Sequence, residues 1–318
     1  MKVPDTINYT HIFGPVPSRR LGVSLGVDVV PHKTCSLNCV YCECGRTNRL
    51  TIDTDHYVSS TTIKRELKHY LSKAPELDFI TFSGSGEPTL YADIGDIIRF
   101  LKTDYPQYKV AVLTNGTLFY KSEVRQRILK ADLVIASLDA ASEEVFRLIN
   151  RPCSSLNLTN IINGLVRFRH EFSNQYWIEV FIVPGINDTP DELEKIKFVL
   201  KRIRPDRIQI NTLDRPGTES WVEPVTGEKK VFIAEYLEGA ETITGSSVRS
   251  GKKTELSESY DRIRATIRRR PCTADDLSTS LGISLQEVRC LLEKMIREGI
   301  VARKQMHRGI FYTLIQGR

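Results

Sequence analysis

Short apolar segments alternate with amphipathic ones along most of this chain, and that alternation restricts the fold more than any other feature. Between the apolar segments, apolar residues recur at the three- and four-residue spacing of one helix face, as in Ile94, Ile97, Ile98 and Leu101. Alternating strands and helices form parallel βαβ units. The sequence therefore predicts an α/β fold whose functional residues lie at the carboxyl ends of its strands. The six strand-like segments are 24–30, 78–82, 110–113, 133–136, 177–183 and 208–210.

Three cysteines, Cys35, Cys39 and Cys42, follow the first strand-like segment in the spacing C-x3-C-x2-C. Thiolate sulfur suits iron–sulfur clusters and zinc. A structural zinc site fills four positions, commonly with paired C-x2-C motifs, and the chain has no second such pair. A four-iron cluster normally takes four cysteines, so three would leave one iron open for chemistry. A partial zinc site and three unrelated cysteines are the alternatives.

A glycine-rich loop follows the second strand-like segment and contains Ser85, Gly86, Glu87 and Pro88. Glycine lets a backbone approach a ligand closely, and the Glu87 carboxylate offers an acceptor for an ammonium group. An ordinary turn between a strand and a helix is the alternative interpretation.

Short polar side chains also stand where the later strands end. Asn115, Ser137 and Asp139 follow the third and fourth segments, and Val183 opens a loop after the fifth. Asn and Asp also simply favour turns, so each signal is weak alone. The candidate substrate contacts are Asn211 and Arg215, after the sixth segment. Arg215 could bind a carboxylate or phosphate bidentately, or form a salt bridge at a helix entry.

Together, these motifs resemble the radical S-adenosylmethionine (radical SAM) superfamily, in which the three cysteines hold a 4Fe–4S cluster and the free iron binds S-adenosylmethionine (SAM). The resemblance implies a partial (βα)6 TIM-like barrel. It also implies roles around SAM: Tyr41 near the adenine, Ser85–Pro88 at the amino group, Asn115, Ser137 and Asp139 at the carboxylate or ribose, and Val183 beside the adenine. Ser85 replaces the first glycine of the family's Gly-Gly-Glu-Pro motif.

The resemblance further implies a reaction class. A reduced cluster cleaves SAM to a 5′-deoxyadenosyl radical, which abstracts hydrogen from a substrate, and a separate electron donor such as flavodoxin or ferredoxin is needed. The substrate is predicted to be a macromolecule, with RNA ranked ahead of protein and a small molecule third. An iron–sulfur sensor that binds DNA is the alternative from a different functional class.

The division of the chain is predicted as a barrel with its N-terminal lead-in over 1–238, a linker over 239–254 and a second domain over 255–318. In the second domain, Thr273 to Gly282 signals a capped helix that ends at a glycine. With the second helix and the hairpin that follow, it resembles a winged helix. Residues 255–318 carry 12 Lys/Arg against 8 Asp/Glu, whereas the whole chain has a net charge of +6. This weakly basic domain permits a polyanionic partner.

Two further features bound the function. The chain resembles the wyosine-synthase branch of the family, which acts on tRNA, but no cysteine precedes Cys35 to hold that branch's second cluster. The barrel also resembles glycyl-radical activating enzymes, which act on protein. Cys44, Cys153, Cys272 and Cys290 show no spacing of a second cluster. Seven irregularly placed cysteines, and no membrane segment or signal peptide, predict a cytoplasmic protein.

Overall fold

The structure is a computed structural model that describes residues 9–243 and 256–315. Its ten helices in those residues are α1 (Ser60–Leu71), α2 (Ile94–Asp104), α3 (Ser122–Ile128), α4 (Glu143–Asn150), α5 (Leu158–Glu171), α6 (Pro190–Ile203), α7 (Gly227–Tyr236), α8 (Leu256–Arg269), α9 (Ala274–Leu281) and α10 (Leu285–Arg297). A short 3-10 turn covers Pro88–Leu90.

The described strands are β1 (Ile12–Ser18), β2 (Gly22–Val27), β3 (Thr34–Cys35), β4 (Arg49–Leu50), β5 (Phe79–Phe82), β6 (Lys109–Thr114), β7 (Leu133–Ser137), β8 (Gln175–Phe181), β9 (Arg207–Asn211), β10 (Ala240–Thr242), β11 (Cys272–Thr273), β12 (Val301–Met306) and β13 (Gly309–Leu314). Eight of them form one sheet in the order β1-β2-β5-β6-β7-β8-β9-β10. β1 is antiparallel to β2, and every later neighbour is parallel.

The α/β fold expected from the alternating pattern is confirmed, with helices packed over the sheet. The predicted stripe Ile94, Ile97, Ile98 and Leu101 is fully buried on α2, because a helix that covers a sheet must bury one apolar face. All six predicted strands are present. Their carboxyl ends share one edge, so loops distant in sequence meet there.

Two strands of the large sheet, β1 and β10, go beyond the prediction. β1 lies in the N-terminal lead-in, and its Pro15 and Pro17 are tolerated because β1 is an edge strand. β10 lies inside the predicted linker 239–254 and extends the parallel series to seven strands. Its three residues, Ala-Glu-Thr, carry no apolar run that would signal a strand. Residues 244–254 of that predicted linker lie outside the described residues.

Residues 256–315 form a second unit with its own apolar core, which includes Leu277, Val288 and Leu292. Helix α9 starts with a capping box between Thr273 and Asp276 and ends at Gly282 in the left-handed conformation, as the sequence predicts. A sheet in the order β11-β13-β12 completes the unit. Helix α9 also packs against β1, so this unit contacts the N-terminal edge of the large sheet.

Candidate active site at the carboxyl edge of the sheet

The cysteine loop lies across the strand ends and is anchored to the end of helix α4. Cys35 closes β3, and the next residues make backbone hydrogen bonds to α4: Asn38 N donates to Asn150 O over 2.9 Å, and Val40 N to Ile149 O over 2.9 Å. A loop pinned by its backbone has little freedom to collapse. The three thiols are therefore held in place by the fold.

Each of the three sulfurs has its own polar donor. Asn115 Nδ2 lies 3.5 Å from Cys35 Sγ, and Asn150 Nδ2 lies 3.4 Å from Cys39 Sγ. For Cys42, the donor is the Lys33 ammonium, 3.0 Å from Sγ. Hydrogen bonds to sulfur stabilise the anionic form that a metal requires.

The three thiols differ in the direction in which their surroundings shift the pKa. Burial, together with Glu87, raises the pKa of Cys35 to about 12, and burial with Asp139 raises the pKa of Cys39 well above its usual value. A hydrogen bond from Cys44 and the charge of Lys33 instead hold the pKa of Cys42 well below its usual range. Two half-buried thiols that resist ionisation would be deprotonated only against a strongly positive partner such as iron.

The donor set fits a cluster of several metals better than a single ion. Among the described residues, no three His, Cys, Asp or Glu side chains are close enough to share one metal ion. Three cysteine thiols on one loop supply three of the four thiolate ligands that a cubane cluster normally takes, one for each of three irons. The residues present therefore fit a 4Fe–4S cluster with one iron not bound by these thiols.

The glycine-rich loop packs directly on the cysteine loop. Lys33 N donates to Ser85 O over 3.1 Å, and Glu87 N donates to Thr34 O over 3.0 Å. A Cβ added to Gly86 would lie 2.3 Å from Thr34 O, so only glycine permits this approach. The predicted SAM-binding loop and the predicted cluster loop are thus in contact.

Glu87 is buried, and both carboxylate oxygens accept hydrogen bonds from the chain itself. Oε1 accepts from Thr89 N (3.0 Å), Thr89 Oγ1 (2.6 Å) and Thr114 Oγ1 (2.6 Å), and Oε2 accepts from Asn115 N (2.8 Å). Burial raises its pKa against these bonds. Pro88 follows as the first residue of the 3-10 turn. Glu87 therefore ties the end of β6 to this turn.

A second buried carboxylate, Asp139, organises the ends of β7 and β8. Its Oδ2 accepts hydrogen bonds from Tyr41 Oη and, over 2.7 Å, from Asn150 Nδ2, and its Oδ1 accepts from Phe181 N over 3.0 Å. The Tyr41 ring stacks on Phe181 with 3.7 Å between centroids. Burial raises the pKa of Asp139 to about 6. Asp139 thus links the cysteine loop, α4 and β8.

The remaining predicted SAM contacts lie on the same edge. Ser137 is the half-buried last residue of β7, and Val183 is buried, with its N donating to Asn187 Oδ1 over 2.8 Å. Asn187 was missed as a site residue, although its Nδ2 also donates to Asp139 O and Phe181 O. Lys33 and Asn150, which contact the sulfurs, were missed as well. Only Lys33, two residues before Cys35, offered a sequence signal.

The two candidate substrate residues lie in different environments. Asn211 ends β9, and its Nδ2 donates to Glu179 Oε2 over 3.2 Å; Glu179 in turn pairs with Arg20 of the lead-in. Arg215 is buried against the second unit, where Nη1 donates to Pro271 O (2.7 Å) and to Asp276 Oδ2 (2.6 Å). Both residues line a cavity of about 960 Å³ between the units. Arg215 Nε also lies 3.6 Å from Glu43 Oε2, directly after Cys42, so the structure brings Arg215 to the cysteine loop. Among the described residues, Asn211 makes no hydrogen bond to that loop.

Comparison with known proteins decides the family. A family model described as the radical SAM superfamily matches residues 29–200, more than half of the chain. This chain belongs to the radical SAM superfamily. As a radical SAM enzyme, it uses a 4Fe–4S cluster and S-adenosylmethionine. Within its described residues, no helix is both long and apolar enough to cross a membrane.

Individual relatives add little about the substrate of this radical SAM enzyme. The UPF0026 protein MJ1312 of Methanocaldococcus jannaschii is 30% identical, with 95% of each chain covered. A protein named GTPase Obg from Brachyspira hyodysenteriae is 38% identical over 97% of this chain, which spans 46% of that protein's length. A radical SAM methyltransferase structure from Sphaerobacter thermophilus matches with a TM-score of 0.53 at 16% identity, covering 69% of this chain and 65% of the other. This last likeness supports the fold alone.

Proposed function

We propose that this enzyme holds its cluster through Cys35, Cys39 and Cys42 and acts on a macromolecular substrate, with RNA favoured. One observation carries the assignment of the ligands. The three thiols lie on one anchored loop, each beside its own donor, against a glycine-rich loop at the carboxyl edge of the sheet. The cluster, when bound, supplies the electron that cleaves SAM to a 5′-deoxyadenosyl radical.

The residues of the chain are proposed to position this chemistry. Asn115 and Asn150 orient the sulfurs of Cys35 and Cys39, and Lys33 keeps Cys42 ionised. Ser85–Pro88 is proposed as the binding segment for the SAM amino group. Because both Glu87 oxygens already accept hydrogen bonds, we assign to Glu87 the positioning of that segment and a fixed negative charge beside it.

Asp139 and Tyr41 are proposed to shape the adenine side of the site. Their hydrogen bond and the stacking of Tyr41 on Phe181 make a rigid aromatic wall. Ser137 and Val183, at the ends of β7 and after β8, are proposed to border the ribose and the adenine. Asn211 and Arg215 are proposed as contributors to the substrate side; for Arg215, its buried bonds favour a role in holding the second unit.

The second unit is proposed to be a winged-helix domain, within the predicted range 255–318, that helps to recruit the substrate. Its helices α9 and α10 and the β12–β13 hairpin are the elements that such a domain needs. Helix α10 of this unit carries Arg289, Lys294 and Arg297 but also Glu287, Glu293 and Glu298. A helix that alternates basic and acidic side chains binds phosphates poorly, so we place substrate recognition outside α10.

RNA is favoured over protein because arginines gather between the two units. Arg264, Arg268, Arg269 and Arg270 line a cavity of about 1080 Å³ that also reaches Ser85 and Cys44. A dense group of arginines suits a polyanion. Placement in the wyosine-synthase-like branch would fit such a substrate. A flavodoxin or ferredoxin is the proposed electron donor, and a cytoplasmic setting is the proposed location.

The test is 5′-deoxyadenosine production by anaerobically reconstituted, reduced enzyme, with and without total cellular RNA, with Cys39→Ala as the blank. Output above the blank that rises with RNA supports both parts of the proposal. Output that ignores RNA but rises with a protein fraction favours the protein alternative. Salt-dependent DNA binding without any SAM cleavage would favour the iron–sulfur sensor.

A further inference from the structure

The larger cavity between the two units lies directly beside the cysteine loop. Cys44 and Gly45 of that loop, and Ser85 of the glycine-rich loop, form part of its wall, and the end of α8 forms the opposite part. Cys44 Sγ lies 2.9 Å from Arg269 O, so α8 ends in contact with the cysteine loop. A group bound in this cavity would therefore lie next to the site of the radical chemistry.

The acidic groups of this cavity are mostly balanced within the protein. Asp28 Oδ2 lies 4.0 Å from Arg269 Nε and accepts a hydrogen bond from Ser85 Oγ over 3.1 Å. Glu43 Oε2 lies 3.6 Å from Arg215 Nε. Asp261 is exposed at the rim. Little negative charge is left to neutralise further cations.

The guanidinium groups of three further arginines of the cavity lie more than 4.0 Å from every carboxylate of the described residues. Within residues 9–243 and 256–315, Arg264, Arg268 and Arg270 take part in no ion pair. Arg264 and Arg268 are exposed and, four residues apart, share one face of α8. Burial and the charges of Arg268, Lys33 and Arg269 lower the pKa of His32, which also lines the cavity. The cavity therefore carries excess positive charge from its rim to its depth.

We propose that this cavity binds the phosphate backbone of the RNA substrate through Arg264, Arg268 and Arg270. This inference rests on the proposed function and names the binding surface of that same site. Guanidinium groups bind phosphate bidentately, and several cations in a row match a repeating charge better than one terminal carboxylate. The rings of Tyr9, His11 and His32 in the wall offer surfaces on which bases stack, which is how proteins recognise single-stranded RNA.

The proposed RNA-binding surface lies on α8 and not on α10, although the helix at the position of α10 contacts nucleic acid in many winged-helix domains. The test measures binding of a fluorescent single-stranded oligouridylate of about 12 nucleotides to the reconstituted full chain, by anisotropy, over a range of salt concentrations. The test variant is Arg264→Gln with Arg268→Gln. The matched control is Arg289→Gln with Arg297→Gln, two exposed arginines of α10.

We expect the α8 variant to bind RNA about tenfold or more weakly, because each lost phosphate contact of a single strand lowers the slope of log K against log salt by about 0.7. Its slope should shrink by about 1.4, whereas the α10 control should match the wild type. Arg264→Lys with Arg268→Lys should keep most of the salt slope, since the charge remains, but lose part of the affinity. Melting temperature and iron content check that each variant is folded and loaded.

Three results would overturn the proposal: no RNA binding by the wild type, equal binding by the α8 variant, or loss confined to the α10 control. If poly-glutamate at low concentration displaces the RNA, and if its own binding also requires Arg264 and Arg268, the cavity would be assigned to an acidic protein instead. RNA-stimulated 5′-deoxyadenosine output with an unaffected α8 variant would keep the enzyme's function and reject the site. No SAM cleavage would reject the function, while the binding measurement still decides the site.

Discussion

The carboxyl edge of the sheet and the cavity between the two units are neighbours with opposite electrostatic designs. At the sheet edge, the buried carboxylates Glu87 and Asp139 have accepted hydrogen bonds on every oxygen. In the cavity, Arg264 and Arg268 remain without an ion-pair partner in the described part of the chain. Internally satisfied groups fix geometry, whereas unsatisfied charges at a surface are available for a ligand.

This contrast assigns different work to the two regions. At the sheet edge, Glu87 and Asp139 are each held by several short hydrogen bonds, so substitutions there are expected to disturb the structure. The arginines of the cavity lie on α8 or directly after it, and the exposed Arg264 and Arg268 can be replaced with little cost to folding. Predictions for the first region therefore concern stability and cofactor content, while those for the second concern binding.

The largest expected effect is at the cluster. Cys39→Ala removes one of three thiols on the anchored loop, and we expect loss of most bound iron and sulfide together with 5′-deoxyadenosine output no higher than in a reaction without enzyme. Cys290→Ala is the matched control, because Cys290 is exposed on α10. Iron and sulfide analysis and product chromatography measure the result. Full iron content in the Cys39→Ala variant would contradict the assigned ligands.

The next largest effect, on the free energy of unfolding, is expected where the second unit contacts Arg215. Arg215 is only 7% exposed and donates to Asp276 Oδ2 over 2.6 Å. Arg215→Met removes this buried cation from the partly buried Asp276 and Glu43, although Asp276 keeps its ion pair with Arg308. We expect a loss of about 2 kcal/mol in the free energy of unfolding, because charged hydrogen bonds are lost. Urea unfolding measures it.

Arg99→Met is the control for Arg215, since Arg99 is exposed and pairs with Asp96 over 3.6 Å; its cost should stay under about 1 kcal/mol. The double variant Arg215→Met with Asp276→Asn should lose less than the sum of the two single variants, because both remove one shared interaction. Additive losses would show that the pair is not coupled.

An effect of similar size is expected at Glu87. Glu87→Gln replaces one acceptor oxygen with an amide donor, so at least one of the bonds from Thr89, Thr114 or Asn115 is lost. We expect a cost of about 1–3 kcal/mol, with Glu76→Gln, an exposed carboxylate, as control. Unchanged stability with lost SAM affinity would instead show that Glu87 contacts SAM directly.

Sequence alone predicted the fold where the signal is local. The apolar stripe of α2 and the capping box of α9 are read from residues three or four apart, and both are present. β1 and β10 were missed because edge strands carry prolines or too few apolar residues to stand out. Their pairing depends on neighbours supplied by the rest of the sheet.

The site shows the same limit. The cysteine spacing and the glycine-rich loop are contiguous motifs and were visible in the sequence. By contrast, Asn150 lies 111 positions from Cys39, and Asp276 lies 61 positions from Arg215. Such pairs are created by topology, so no local pattern reveals that Arg215 is buried at a contact between units. The arginines of α8 were also not singled out, because their position beside the cysteine loop requires the docking of the second unit.

The smallest predicted effect is a dependence on pH at that docking contact. Burial disfavours the Asp276 carboxylate, but the charge of Arg215, the backbone bond from Thr273 and the charge of Arg308 outweigh it and lower its pKa. The folded pKa lies below the unfolded value of about 3.9, so Asp276 stabilises the fold above about pH 4, and this contribution is lost as the pH falls through the folded value. We expect the difference in unfolding free energy between wild type and Asp276→Asn to be about 1–2 kcal/mol at pH 7 and to shrink below pH 4.

The control is Asp275→Asn, an exposed neighbour in the same turn, which should show no such change. The series is best measured in a Cys39→Ala background, so that acid loss of the cluster does not contribute. A difference that stays constant from pH 7 to pH 3 would mean that Asp276 acts through its position in the capping box and not through its charge on Arg215.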